Sequence, residues 1–463
     1  MPENLTRRQF IKALGLTGAG VTLASAAPAL AAVSGDTRPG DVPYRYWWVK
    51  NVDQPTTEID WAQMKRYSEW RTTRGSLKEY RGAEKDASYL NLQKENLLKF
   101  ETEQRPGYTT KDFALKEAVG SGRPPFLFMG PQTASTPEER GVPRYEGSPE
   151  ENARIVRVAL RHMGAGTVGF VHLEPETTRK LVYDQEPSPG KKSNVFENID
   201  IGYEDDQKRV IPEKAKYAIV FSVQMSQETM RYGPTQLGSL TTTLTYTRMW
   251  LILTQLHEFL RSMGYQSFGT SAVNGLGIYP AFAVLAGLGE MSRLNRVITP
   301  EYGPNARFTV LLTDLPLAPT KPIDFGVMRF CRDCKTCAEF CPSGALSMDR
   351  DPSWEVKGPW NNPGHKAYFE DSVKCRNYWN TCGTNCGICF AVCPYAANDE
   401  ASLHNIVKGT IATTPLLNSL LVSADRQAFP ATMGEPMKDP ESWWRNENLA
   451  ECGIDSRAGG RNI

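Results

Sequence analysis

Apolar and polar positions change period several times along the 463-residue chain, and those changes mark its organisation. Residues 13–32 form a mildly apolar run rich in Gly and Ala. Residues 33–140 are aromatic and polar, with Tyr46-Trp47-Trp48, Trp61 and Trp70, a pattern that predicts helices and loops without a repeat. Ser148-Pro149-Glu150-Glu151 combines an N-cap residue, proline at the first helical position and acids in the first turn, so a helix starts there. Ile155, Val158, Ala159 and Met163 continue it at helical spacing. Residues 166–173 and 217–223 read as strands, and the charged stretch 174–216 between them reads as an insertion. A long helix is predicted over 242–263, then a small-residue stretch over 269–289, then a strand over 307–312. The segment from 141 to 320 therefore has the alternation of an α+β domain able to hold a cofactor, although the pattern names none.

With 40% hydrophobic and 23% charged residues the composition is that of a soluble globular protein. Lys+Arg total 53 against 52 Asp+Glu, so no overall charge draws the chain to nucleic acid. The densest apolar stretch after the N-terminus, 250–260, is interrupted by Thr254, Gln255, His257 and Glu258, which predicts a buried amphipathic helix rather than a membrane span. Thr6-Arg7-Arg8-Gln9-Phe10-Ile11-Lys12 precedes the first apolar run, and Ala29-Leu30-Ala31 fits a cleavage site near its end. This resembles a twin-arginine export signal, a route that carries proteins already folded around their cofactors. Residues 1–32 are accordingly set apart from the fold.

Nine of the ten cysteines lie between Cys331 and Cys393, and only Cys452 stands outside. Such crowding in one stretch of a large chain points to metal rather than to a disulfide scaffold. Cys331, Cys334, Cys337 and Cys341-Pro342 form the bacterial ferredoxin run, whose fourth cysteine serves the other cluster of a pair. A second run ends in Cys386, Cys389 and Cys393-Pro394, with Cys375 and Cys382 upstream. The crossed assignment gives one [4Fe–4S] cluster Cys331, Cys334, Cys337 and Cys393. The other takes Cys341, Cys386, Cys389 and either Cys375 or Cys382. Zinc also binds C-x2-C pairs, but eight ligands in two such runs fit paired cubanes better. Two clusters make an electron conduit and leave its destination open.

The flanking residues narrow that destination. Ala286-Gly287-Leu288-Gly289-Glu290, Ile298-Thr299-Pro300-Glu301-Tyr302-Gly303-Pro304, and the run from Thr313-Asp314-Leu315-Pro316 to Pro322-Ile323-Asp324 lead into the first cysteine run. His404-Asn405-Ile406-Val407-Lys408 and Ala412-Thr413-Thr414-Pro415 follow the second. This order closely resembles the corrinoid-dependent reductive dehalogenases of organohalide-respiring bacteria, in particular the chlorinated-ethene enzymes, from the leader to Trp443-Trp444. The resemblance implies an α+β fold with a nitroreductase-like cobamide-binding domain over 141–320, after an N-terminal unit over 33–140. A ferredoxin-like domain over 321–410 and a C-terminal extension over 411–463 complete it. None of the five histidines sits in an Asp-x-His-x-x-Gly motif, which fits a family whose cobamide has no histidine lower ligand.

The resemblance also implies roles. Tyr246 matches a proton-donor tyrosine, Arg307 its arginine partner and Asn274 a pocket asparagine, while the context Lys374-Cys375 favours Cys375 over Cys382 as the eighth ligand. A nearby guanidinium favours a phenolate, so the pairing of tyrosine with arginine is chemically coherent. Gly275, Gly277, Gly287 and Gly289 would let backbone approach a large flat cofactor, and Trp47, Trp48 and Trp379 would line an apolar substrate pocket. The implied partners are a small organohalide, a small integral membrane anchor protein and an electron donor from the respiratory chain, with no nucleic acid. The implied location is the outer face of the cytoplasmic membrane. Two rivals share some of these features: an epoxyqueuosine reductase acting on tRNA, which would need a phosphate-binding basic patch, and a non-catalytic iron–sulfur subunit, which would not need the domain before the clusters.

Replacing Arg7 and Arg8 together by lysine is expected to strand the precursor in the cytoplasm, because twin-arginine receptors read that pair. Cell fractionation measures it, and normal processing of the double variant would mean that another route is used.

Overall fold

The computed structural model describes residues 46–125, 127–186, 192–270, 274–396 and 402–455; the leader read over 1–32 lies outside them. The chain opens with a short strand β1 (Lys50–Asn51), then helices α1 (Ala83–Thr102) and α2 (Thr110–Gly120). Helix α3 (Pro149–His162) leads into strand β2 (Val168–His172). Strands β3 (Ser193–Glu197), β4 (Tyr203–Glu204) and β5 (Lys208–Pro212) form a small sheet of their own, in the order β3-β5-β4. Strand β6 (Tyr217–Gln224), helix α4 (Gln236–Met263), strand β7 (Ser267–Phe268) and helix α5 (Tyr279–Leu285) follow. A hairpin of β8 (Glu290–Met291) and β9 (Val297–Ile298) precedes β10 (Ala306–Thr313) and β11 (Ile323–Asp324). The cysteine-rich part carries α6 (Val327–Cys334) and α7 (Ser372–Cys382), and the C-terminal part α8 (Ser402–Thr413) and α9 (Asn418–Ala428).

The central sheet is antiparallel, in the order β2-β6-β10-β7. Its strands are apolar on both faces because both faces are covered. Along β6, Ala218 and Val220 join one core with residues of α5, whereas Ile219, Phe221 and Val223 join a second core with α3 and α4. Strand β10 alternates likewise, Val310 and Leu312 facing one way and Leu311 the other. The α+β class expected from the pattern is therefore realised as a sheet between two helical layers.

Several boundaries depart from the periodicity. Helix α3 starts where its cap predicts, with Ser148 Oγ accepting from Glu151 N at 3.2 Å. Its buried stripe, however, is Asn152, Ala153, Val156 and Leu160, and Val158 is exposed. The helix is rotated because Asn152 is held inside, its amide donating to the carbonyl of Pro316 at 2.9 Å. Helix α4 begins six residues before the predicted start, since residues 236–242 are all buried and tertiary packing overrides the weak helix propensity of Gly238, Ser239 and the threonines. It ends as glycine chemistry dictates, with Gly264 in the left-handed region (φ 94°). The stretch 33–140 is not helix and loop alone, for β1 pairs with β11, Lys50 opposite Asp324. Among the described residues no helix is long and apolar enough to cross a membrane.

Gly303 joins the two halves of the fold. It is left-handed (φ 57°), and a Cβ there would run into the carbonyl oxygen of Tyr395, beyond the second cysteine run. Gly303→Ala is expected to destabilise by about 2–5 kcal/mol, combining left-handed strain with overpacking. Gly344→Ala has a similar φ of 60° but nothing within 4 Å, so it should cost only about 1–2 kcal/mol. Denaturant midpoints of the two variants separate strain from collision.

Candidate functional site

The two cysteine runs close on one another. Cys331 and Cys334 stand on α6, Cys337 on the following helical turn and Cys375 and Cys382 on α7. Cys331, Cys334 and Cys337 are buried in an apolar core against which Cys341, Cys386, Cys389 and Cys393 also pack. Cys337 and Cys393 each interact electrostatically with Cys331 and Cys334, and these four thiols line one small cavity. Cys375 interacts with Cys389 and Cys341, and Cys386 with Cys389, Cys382 and Cys375. The Cys382 thiol donates to the carbonyl of Thr384 at 3.1 Å, beside Lys116, and does not line the cavity described next, as Cys375 does. Burial pushes Cys331 and Cys389 up to about 12, so as free thiols both are protonated at neutral pH. Iron binding must therefore release those protons.

Next to this core lies a cavity of about 560 Å³. Its walls come from the N-terminal unit (Thr57, Met64, Tyr67), from the central domain (Tyr246, Asn274, Arg307) and from the cysteine-rich part (His365, Cys375, Trp379). Tyr246 and Arg307, sixty-one positions apart, meet through the sheet. Thr245 Oγ1 on α4 donates to the carbonyl of Gln224 at 3.1 Å. Gln224 pairs with Ala306 at the start of β10, and Val223 pairs with Arg307. The Arg307 guanidinium consequently lies 5.4 Å from the centre of the Tyr246 ring and 5.5 Å from that of Phe390. Asn274 takes a left-handed φ of 61° in the turn before α5, where its carbonyl accepts from Gly277 N. That conformation suits asparagine better than most residues.

The lining is rich in groups awaiting a partner. Thr57 Oγ1, Asn362 Oδ1, Arg307 Nε and Arg376 Nε all belong to lining residues, are shielded from water and have no hydrogen-bond partner among the described residues. Such atoms are costly unless a bound molecule satisfies them. Five carboxamides, Asn274, Asn295, Asn361, Asn362 and Asn385, share the wall. Glu69, buried below the rim and paired with Arg74 at 3.0 Å, is pushed up to about 7 by desolvation. His365 packs edge to face on Phe369 and is pushed down to about 4, so its ring is neutral.

Not every residue singled out in the sequence arrives here. Trp379 lines the cavity, stacked beneath Arg376 at 4.5 Å. Trp47 and Trp48 do not, because the β1–β11 pairing carries them to the cysteine side. There Trp48 is buried, stacked on Tyr46 at 4.9 Å, and Trp47 is exposed beside Gly409. The four glycines are not among the lining residues. A Cβ on Gly289 would meet the carbonyl of Ile298, one on Gly277 would meet Phe282, and Gly287 (φ 68°) ends α5. They serve the protein's own packing. The stretch 174–216 is more than an insertion, since Leu181 and Tyr183 form cavity wall and Val182 bridges to Gly277. Residues 57–74 and 360–372 were missed because irregular loops leave no period to read; their aromatic density was the only signal.

Comparison with known proteins identifies the family. A family profile described as "Reductive dehalogenase subunit" matches residues 44–317, and one described as "4Fe-4S double cluster binding domain" matches residues 330–396. The tetrachloroethene reductive dehalogenase of Sulfurospirillum multivorans is 37% identical over 290 residues, 60% of this chain and 56% of that protein. The trichloroethene reductive dehalogenase of Dehalococcoides mccartyi is 28% identical over 96% of this chain and 97% of its own length. Among solved structures, the catabolic reductive dehalogenase NpRdhA superposes with a TM-score of 0.60 at 22% identity, over 85% of this chain and 49% of that one. The chain thus spans about half the length of two of the three relatives named and nearly all of the third. The profile covers more than half of the sequence, and the chain belongs to the reductive dehalogenase family.

Proposed function

We propose that this chain is a corrinoid-dependent reductive dehalogenase whose two [4Fe–4S] clusters feed electrons to a cobamide in the 560 Å³ cavity. The observation that carries the reading is that Tyr246, Arg307, Asn274 and Cys375 all line that one cavity. Its carboxamides and partnerless polar atoms suit a macrocycle bearing amide arms. The substrate class is a small organohalide, a chlorinated ethene or similar, in keeping with the names of the relatives. Overall, R–X, two electrons and one proton give R–H and halide. A reduced cobamide, when bound, would supply the electrons for breaking the carbon–halogen bond. Tyr246 donates the proton from its phenolic oxygen. Arg307 orients the ring and offers positive charge to the phenolate left behind. Asn274 orients substrate from the same wall. In this reading electrons come from a respiratory donor, and the exported enzyme docks peripherally on a small membrane anchor protein at the outer face.

Cluster one takes Cys331, Cys334, Cys337 and Cys393, and cluster two takes Cys341, Cys375, Cys386 and Cys389. Cys375→Ala is expected to remove about four irons, as one ligand of a cubane is lost, whereas Cys382→Ala should leave both clusters. Iron analysis of the two purified variants checks this, and the reverse result would exchange the assignments.

Tyr246→Phe keeps the ring between Arg307 and the apolar core but removes its acidic hydrogen. Cobalt and iron content should survive while turnover with reduced viologen falls by roughly 10²–10⁴-fold, the worth of a general acid. A fully loaded variant with unchanged turnover would remove Tyr246 from the mechanism.

A further inference from the structure

The turn between β8 and β9 sends one guanidinium toward each set of thiols. Arg293 is buried; its backbone N–H points at Cys331 Sγ at 3.5 Å, and its side chain donates to the carbonyls of Cys331, Ser347 and Asp349. Arg296, three residues on, interacts electrostatically with Cys375 and Cys389. The turn is pinned by Ser292 Oγ donating to the Arg296 carbonyl at 2.8 Å, with Asn295 in the left-handed region.

Arg296 does not act on those thiols alone, since Glu370 interacts with both Cys375 and Cys389 in the opposite sense. Its Nη2 lies 3.0 Å from Glu370 Oε1, and the Ser372 hydroxyl donates to the same oxygen at 2.8 Å. Glu370 is only 5% exposed. Its backbone carbonyl accepts from Trp360 Nε1 at 3.2 Å and from Asn361 Nδ2 at 3.3 Å, so its position is over-determined. Arg296, Glu370 and Cys375 all line the cavity. The ion pair therefore stands where the cavity meets the thiols assigned to cluster two.

Each electron added to a cluster makes it more negative, so a fixed cation nearby favours reduction and raises the potential, and a fixed anion lowers it. An unpaired Arg296 would make cluster two easier to reduce and a poorer reductant. We propose that Glu370 is a positioning residue for electron transfer: by neutralising Arg296 it holds cluster two at low potential, where it is a strong reductant toward the cavity. This rests on the reading that Cys375 is a ligand of cluster two.

The test is a potentiometric titration of the loaded enzyme followed by EPR. Cys375→Ser first identifies which cluster signal belongs to cluster two. Glu370→Gln preserves shape and leaves Arg296 unopposed. It should make cluster two about tenfold easier to reduce, about 59 mV upward for a one-electron couple, while cluster one stays in place. Adding Arg296→Gln to Glu370→Gln should bring cluster two back toward its wild-type potential, which a merely structural defect would not do. Arg296→Lys keeps the charge and should shift little; a shift as large as that of Glu370→Gln would make packing the cause and overturn the proposal. It is likewise overturned by an unmoved cluster two in Glu370→Gln, by equal movement of both clusters, or by a double variant shifted as far as Glu370→Gln. If Glu370→Gln fails to load, Arg296→Gln alone leaves Glu370 unopposed and should lower the potential of cluster two; an unmoved or raised potential there overturns the proposal. Failure of the ligand reading shows separately, as a Cys375→Ser enzyme with both signals unchanged.

Discussion

At Gln224 three parts of the fold converge on one backbone position. Its carbonyl accepts from Thr245 of α4, the strand register sets it opposite Ala306, and its side-chain amide donates to Asp455 at 2.9 Å. A slip of one residue in the pairing of β6 with β10 would turn every side chain of β10 to the other face. Arg307 would then leave Tyr246, and the two cores on either side of the sheet would exchange the side chains that fill them. The register is consequently enforced by eight consecutive residue pairs and two hydrophobic layers rather than by anything at the site itself. The same strand end propagates outward. The next residue, Met225, donates its N–H to the carbonyl of Asn305, and the loop before it places Gly303 against Tyr395. The geometry of the tyrosine and the seating of the cysteine-rich part are thus set by one piece of sheet.

A second constraint pulls the other way. Thiolates that bind clusters need an apolar, water-poor surround to keep the clusters intact, yet the cysteine core abuts a polar-lined cavity. Helix α7 reconciles the two by carrying Cys375 on the face where core and cavity touch, with Trp379 one turn along on the same wall. Cys382, two turns from Cys375, faces Lys116 and the carbonyl of Thr384 instead. At this boundary Arg296 is paired with Glu370, and an unpaired buried charge is expensive and displaces every potential near it.

Regular elements were legible in the sequence where period and end signals agreed. The cap at Ser148, the strands at 168–172 and 217–224, and the end of α4 at Gly264 follow from local chemistry. The buried face of α3 and the first turns of α4 did not, since Asn152 and the Gly238 region owe their burial to distant chain. For the site, spacing alone separated the cysteines into two groups and left Cys375 and Cys382 equivalent; they stand two turns apart along α7, and of the two Cys375 lines the cavity. Tyr246 and Arg307 rested on resemblance, because nothing within either segment encodes their encounter. Trp47 and Trp48 misled because aromatic density marks burial without saying against what.

The cavity draws its walls from stretches more than three hundred residues apart, Thr57 at one end and Asn385 at the other. Such a wall is assembled only after the whole chain has folded, and it leaves Thr57, Asn362, Arg307 and Arg376 with buried polar atoms that the protein does not satisfy. Each costs on the order of 1–3 kcal/mol while it stays unpaired. A ligand that supplies those hydrogen bonds binds the folded state alone, so its binding energy is also folding energy. Filling the cavity and seating the N-terminal unit on the cysteine-rich part are therefore one coupled event. A ligand held between Tyr246 and Cys375 would make the residues that position them rigid through its own contacts.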